Sequence, residues 1–425
     1  MARFRTILRN RNFFFLWLGQ VISQFGDRLD QMALIALIYR LAPGSTTQMA
    51  KVMAFTILPV FLIGPVAGVY VDRWDRRRTM VVCDVLRGFL VLLIPFYFMK
   101  MNSLLPVYVI VFLVFSLSRF YVPAKMSIIP DLVKSEDLLL ANSLVNTTGM
   151  VAAMFGFGLG GILVAIVGPH GGFVIDGASF LISGIMVFFV SSKALRGLKK
   201  ERLVDVGKDI ADVIKKSVFS EMKEAAVFLK NQPQIRSCFG ILFFLWSALG
   251  AVYVVIIVFV QQVFAGSAQK PATGEIGLLV VALGMGLFLG TLIYGRFCQK
   301  VSGFKAIFAS LMFSGMVLLA FVLSILGAPS FLLALSLAFV LGLAVSPVMT
   351  VSNTIVQQLT DSSMRGKVFS SLEIVVHLAF LLSMMVSASL SDKIGAVKIL
   401  STVGLLLFVT GFIGIFKSNG QAGRT

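Results

Sequence analysis

Six polar residues set in one long apolar run are the part of this chain that could do chemistry. Gln20, Ser23, Gln24, Asp27, Asp30 and Gln31 fall between residues 13 and 39. Turned at 100° per residue they occupy about 120° of arc, and Arg28 lies just beside them. Asp27 sits roughly 21 Å from the start of the run at 1.5 Å per residue. A run of about twenty apolar residues crosses a bilayer, so this depth is near the midplane. A charge there costs on the order of 2.5–3.5 kcal/mol on insertion scales, and such residues face a bundle interior or a watery cavity. Two readings are open. The stripe lines a cavity in which Asp27 or Asp30 binds a proton or a cationic group of a substrate, or an Asp–Arg pair stabilises helix packing.

Other polar groups interrupt later apolar runs. Asp84 and Arg87 stand three apart on one helical face, the spacing of a structural ion pair tied to the loop before them. Glu373 and His377 stand four apart. Histidine titrates near neutral pH, so this pair could serve proton coupling; the alternative is an interhelical hydrogen bond. Lys125 lies at the inner end of its run, where it could snorkel or meet an anionic substrate or lipid headgroup. Asp176 lies near the outer end of its run and is expected to be solvated.

The elements that position these residues are membrane helices. The 425 residues are 58% hydrophobic and 13% charged, with mean hydropathy +0.95. A soluble domain is closer to half apolar and a quarter charged. Twelve spans are predicted, at about 13–39, 49–71, 79–99, 104–125, 138–167, 172–192, 236–264, 274–296, 304–327, 329–351, 367–390 and 396–417. A six-helix bundle over 1–192, a central cytoplasmic loop over 193–235 and a second six-helix bundle over 236–425 are expected. The fold class is an all-α integral membrane protein. Within the central loop, Leu203, Val206, Ile210, Val213 and Ile214 recur at helical spacing with Lys and Asp between them, the pattern of an amphipathic helix lying on a membrane surface.

The net charge of +18 could suggest nucleic acid, but the basic residues lie in short loops between spans and are read as facing anionic lipid. Among the 37 Lys and Arg, only Arg40, Lys51, Lys100, Lys270, Lys393 and Lys398 fall on the side opposite the N-terminus. That bias places both termini in the cytoplasm. The basic start, Arg3 to Arg11, followed by a long run without a small-residue cleavage site, reads as an uncleaved first span. Cys83, Cys238 and Cys298 imply neither a disulfide framework nor a zinc site. With two histidines and no phosphate-binding Gly-x-x-x-x-Gly-Lys-Ser/Thr loop, neither a metal enzyme nor ATP hydrolysis is indicated. No cofactor is expected, and the chain is read as a monomer.

Between the second and third spans stands Gly68-x-x-x-Asp72-Arg73-x-x-Arg76-Arg77. It follows Gly64, and Gly64-x-x-x-Gly68 recurs in the second half as Gly286-x-x-x-Gly290, a spacing that lets membrane helices approach closely. This stretch resembles the loop 2–3 signature of the major facilitator superfamily. Further segments resemble the branch that holds the enterobactin exporter and the macrolide efflux proteins, with the lysophospholipid transporter a more distant relative. They are Gln24-Phe25-Gly26-Asp27, Pro123-Ala124-Lys125, Ile129-Pro130-Asp131-Leu132-Val133, Leu139-Leu140-Ala141-Asn142-Ser143-Leu144 and Arg365-Gly366-Lys367-Val368. Arg119 resembles the superfamily's span 4 arginine, although Phe-Tyr-Val-Pro after it departs from that motif. The resemblance implies two pseudo-symmetric six-helix bundles working by alternating access. It implies proton-driven efflux of an amphipathic drug, macrolide or siderophore across a bacterial inner membrane. A lysophospholipid flippase and a non-transporting membrane sensor or scaffold are the alternatives. It also implies a conformational latch in which Asp72, with Gly68, Arg73, Arg76 and Arg77 around it, meets Arg365 and Lys367 at the start of span 11.

Overall fold

The computed structural model describes residues 7–71, 74–96, 103–191, 232–265, 271–297, 303–327, 329–360 and 365–422, and Gly68, Arg365 and Lys367 are placed by their backbone alone. The expected surface helix at 203–214, Asp72, Arg73 and Cys298 lie outside the described residues. All described regular elements are helical. In hydrocarbon every backbone N–H and C=O needs an internal partner, and only helices or closed barrels supply one.

The helices are α1 (Arg11–Leu41), α2 (Thr46–Leu62), α3 (Gly64–Val71), α4 (Arg76–Phe96), α5 (Leu105–Leu132), α6 (Leu138–Phe188), α7 (Pro233–Phe264), α8 (Thr273–Phe297), α9 (Gly303–Gly327), α10 (Phe331–Leu359), α11 (Arg365–Ile394) and α12 (Ala396–Ala422). Among the described residues, nine helices are long and apolar enough to cross a membrane. One of them, α6, turns at Gly168 and supplies two crossings; α1 and the α2–α3 pair complete the twelve spans. Local chemistry sets the boundaries. The Asn10 side chain caps α1 by accepting from the N–H groups of Asn12 at 3.1 Å and Phe13 at 3.3 Å. Span 2 breaks between α2 and α3 just before Pro65, which lacks an N–H for the helical ladder. Spans 5 and 6 are joined without the expected loop, because Gly168 adopts φ +72° and lets α6 fold back at Pro169. Span 4 runs seven residues past its expected end, through Pro130 to Leu132.

The chain forms two compact units, Met1–Pro43 with Lys51–Val218, and Gly44–Ala50 with Phe219–Thr425. In the first, α1 and α4 pack on α6, α5 packs on α4, and α3 packs on α5. Its core gathers Phe13, Leu16, Met80, Tyr121, Ile128 and Val145. In the second, α7 packs on α11, α8 on α10, and α9 on α10 and α12. Leu245, Ile307, Leu311, Leu318 and Val348 lie at its centre. These pairings repeat in order those of the first unit, as a parallel internal duplication requires. Gly44–Ala50 belong to the second unit for a visible reason. Asp392, in the last turn of α11, accepts hydrogen bonds from the N–H groups of Thr46 at 2.7 Å and Thr47 at 3.1 Å and from the hydroxyl of Ser45 at 3.3 Å, which caps α2.

The two Gly-x-x-x-Gly copies differ in packing. A Cβ on Gly286 would stand 2.0 Å from the Phe339 carbonyl, and one on Gly290 2.4 Å from the Ser346 hydroxyl, so α8 and α10 meet backbone to backbone. A Cβ on Gly64 would meet nothing within 4 Å. The expected close approach is thus made at the second copy and not at Gly64.

Candidate functional site

The polar face of α1 points into the first unit. Gln20, Ser23 and Asp30 are buried, and Gln24, Asp27, Arg28 and Gln31 are half-buried. Two limbs of α6 flank α1, and glycines make both contacts possible. On one side, Cβ atoms at Gly149 and Gly156 would meet the side chains of Gln24 and Arg28. On the other, a Cβ at Gly26 would stand 2.0 Å from the Ser179 hydroxyl and 2.4 Å from a carboxylate oxygen of Asp176. Small residues at such seams let polar side chains reach across between helices. Arg28 lies with its guanidinium 5.1 Å from the centre of the Phe157 ring, a cation–π contact.

Behind this face sits an ionic network. Asp84 and Arg87 of α4 form an ion pair whose side chains are 0% and 4% exposed. Asp84 also accepts from the Ser183 hydroxyl at 2.8 Å, and Arg87 donates to the Ser118 hydroxyl at 3.2 Å. The Arg87 guanidinium lies 4.5 Å from the Tyr121 ring centre and 4.3 Å from that of Phe180. The pair therefore ties α4 to α5 and α6, through Ser118 and Ser183, and not to the loop before it. It is not isolated from the α1 stripe. Asp27 lies within electrostatic reach of Arg87, Arg28, Lys125 and Arg119, and it acts in turn on Asp30. Four helical segments thus bring four acids (Asp27, Asp30, Asp84, Asp176) and four bases (Arg28, Arg87, Arg119, Lys125) into one membrane-embedded region.

Several expectations change. Lys125 is buried, with 8% of its surface exposed, because α5 continues seven residues beyond it. It neither snorkels nor ends its helix. Asp176 is not at the solvent surface: it is 0% exposed, with Gly26 of α1 opposite it. Glu373 and His377 lie in the second unit on α11. The His377 ring nitrogen meets the backbone carbonyl of Glu373 at 2.7 Å, and the ring lies 5.7 Å from that of Trp246, while the Glu373 side chain is exposed. The hydrogen bond at Nδ1 is thus made within its own helix, while the ring packs against α7 through Trp246. Arg76 and Arg77, expected in the latch, tie the first unit together. Arg76 pairs with Asp131 at 2.7 Å and donates to the Ser127 carbonyl at 2.8 Å. Arg77 donates to the Phe188 carbonyl at the end of α6 and covers its ring.

Asp176, Ser179 and Ser183, which join this network from α6, are spaced three and four apart and so share one helical face, the same kind of signal that marks α1.

Comparison with known proteins supplies the family. The profile of the Major Facilitator Superfamily matches residues 16–384. The uncharacterized MFS-type transporter YfiS of Bacillus subtilis is 25% identical over 412 residues, covering 93% of this chain and 90% of its own. Macrolide efflux protein A of Streptococcus pyogenes is 23% identical over 393 residues, covering 90% of each chain. Among solved structures, the nucleoside transporter NupG superposes with TM-score 0.70 at 13% identity, over 95% of this chain and 98% of that one, and so shares the fold. With that profile running from the first span to the eleventh, across twelve spans arranged as two repeats, the chain belongs to the major facilitator superfamily and is a multi-pass membrane transporter, not an enzyme.

Proposed function

We propose that this transporter exports an amphipathic small molecule, of the drug, macrolide or siderophore kind, in exchange for protons across a bacterial inner membrane, with both termini in the cytoplasm. The observation that carries the reading is the membrane-embedded group of ionisable side chains around Asp27 and Asp30 on α1. The region holds four acids and four bases, and one proton gained or lost changes its net charge. A proton taken up by Asp27 weakens its attraction for Arg28 on its own helix and for Arg87, Arg119 and Lys125, which stand on two other helices. Loss of that proton restores the attraction. A charge change shared among helices is a means of coupling proton occupancy to helix arrangement, because each arrangement then binds the proton with a different affinity. The half-buried Gln24, Arg28 and Gln31 are the groups that a substrate entering beside α1 would meet. The similarity to a macrolide efflux protein supports the substrate class and the direction.

The test is transport in inverted membrane vesicles with a panel of macrolides, cationic drugs, siderophores and lysophospholipids, with a dye reporting proton movement. Uptake of a panel member accompanied by proton release from the lumen is the expected result. Asp27→Asn or Asp30→Asn keeps shape, removes a titratable group and is expected to abolish that linkage with protein level unchanged. If both variants transport with unchanged pH dependence, the α1 acids are not the coupling site. Movement of lysophospholipid alone establishes the flippase instead.

A further inference from the structure

Asp176 and Asp84 are the most deeply buried acids of the cluster, and they are partnered quite differently. Both are 0% exposed. Asp84 has a full set of partners: the Arg87 guanidinium and the Ser183 hydroxyl, one on each oxygen. Asp176 has one hydroxyl, that of Ser179, 3.3 Å from Oδ1, and its Oδ2 is buried with no donor. The charges that face it from α1 are the carboxyls of Asp30 and Asp27, of the same sign. From α4 comes Arg87, already engaged by Asp84. The bases of α5, Arg119 and Lys125, act on Asp27. A buried charge without a partner is among the most costly features a protein can hold, and bilayer surroundings add to the cost.

Position adds a second argument. Gly26 is the residue directly before Asp27, and the Asp176 carboxyl occupies the space that any larger residue at 26 would fill: its Oδ1 lies 2.4 Å from where a Cβ would stand. The carboxyl is thereby set against the α1 backbone at the level of the polar stripe.

We propose that Asp176 is a third proton-binding carboxyl of this transporter, sharing protons with Asp30 and Asp27 of α1, against which Gly26 lets it pack. The inference rests on the proton-coupled reading above and extends it from α1 to the second limb of α6. The step is a simple exchange: the donor-free Oδ2 of Asp176 takes up one proton, which later passes to a deprotonated Asp30 or Asp27, and no other bond forms or breaks. The three interacting carboxyls then titrate as a coupled set, not as independent groups.

The test needs no substrate. The full-length protein in liposomes is titrated from about pH 5 to about pH 9 while infrared difference spectra follow the protonated-carboxyl band. Wild type is expected to lose band intensity as pH rises. Asp176→Asn, which keeps size and the Ser179 contact, is expected to remove one carboxyl's share of that change. Asp30→Asn is expected to move the midpoint of the Asp176 contribution by about one pH unit, to lower pH, because a like charge is removed. Intensity that is unchanged in Asp176→Asn at every pH overturns the proposal, since Asp176 then stays charged. Intensity lost equally at all pH values overturns it too, since Asp176 then never releases its proton. An unmoved midpoint in Asp30→Asn overturns the sharing. Because the titration is done without gradient or cargo, a transport panel that yields no substrate would sink the export reading and leave this result standing or falling by itself.

Discussion

Arg87 offers the sharpest test of how the first unit is held together. Replacing it with Leu removes the guanidinium that pairs with Asp84, the bond to Ser118 at 3.2 Å, and cation–π contacts at 4.5 and 4.3 Å to Tyr121 and Phe180. Asp84, with no exposed surface, keeps only the Ser183 hydroxyl. Breaking one partner out of a buried pair costs about 3–5 kcal/mol, mostly for the charge left behind. We therefore expect Arg87→Leu to lower stability by about 4 kcal/mol, nearly a thousandfold in the unfolding equilibrium. Asp84→Leu alone, which strands the cation but leaves it two aromatic rings and Ser118, is expected to cost less, about 2–3 kcal/mol. The informative variant is Asp84→Leu with Arg87→Leu. Both charges are then gone, two apolar side chains replace them, and the double variant is expected to be more stable than Arg87→Leu alone by about 1–2 kcal/mol. Reversible unfolding in mixed micelles by increasing SDS fraction gives all three values, and the cycle isolates the coupling. Additive losses, with the double variant as unstable as the sum of the singles, would refute the pair as the stabilising unit.

The remaining predictions probe other contacts. Gly286→Ala drives a methyl group onto the Phe339 carbonyl and is expected to cost about 1–3 kcal/mol or sharply reduce folded yield. Gly64→Ala enters open space and is expected to be neutral or to stabilise by up to about 1 kcal/mol; equal losses at both positions would refute the assigned packing. For orientation, cysteines at exposed Pro329, before α10, and exposed Glu136, between α5 and α6, are probed with an impermeant reagent on whole cells. Only the Pro329 position is expected to react, and labelling at Glu136 overturns the positive-inside assignment. Asp392→Ala removes the acceptor of the Thr46 and Thr47 amides, a cap of about 1 kcal/mol, so hydrogen exchange at those two amides is expected to quicken about fivefold. Unchanged exchange would show that α2 does not depend on this cap.

Much of this architecture was legible in the residues themselves. Hydrophobic runs long enough to cross a bilayer must become helices there, since no other local structure satisfies the backbone, so the spans and their alternation follow from composition and length. A single helix also carries its own periodicity. The stripe from Gln20 to Gln31 on α1 and the pairing of Asp84 with Arg87 needed only the 100° turn to be seen. What one helix cannot encode is which other helix stands opposite, and here only the tertiary structure decided. Asp176 lies near the outer end of its run, a position that suggests water, yet the absence of a side chain at Gly26 on another helix seals it in. His377 stands four residues from an acid, yet its ring takes the backbone carbonyl instead of the carboxylate. Gly64 and Gly286 open the same motif, yet only Gly286 has a helix pressed against it. Periodicity sets which residues share a face. The environment of that face is a property of residues on other helices, brought near by packing that no local pattern specifies.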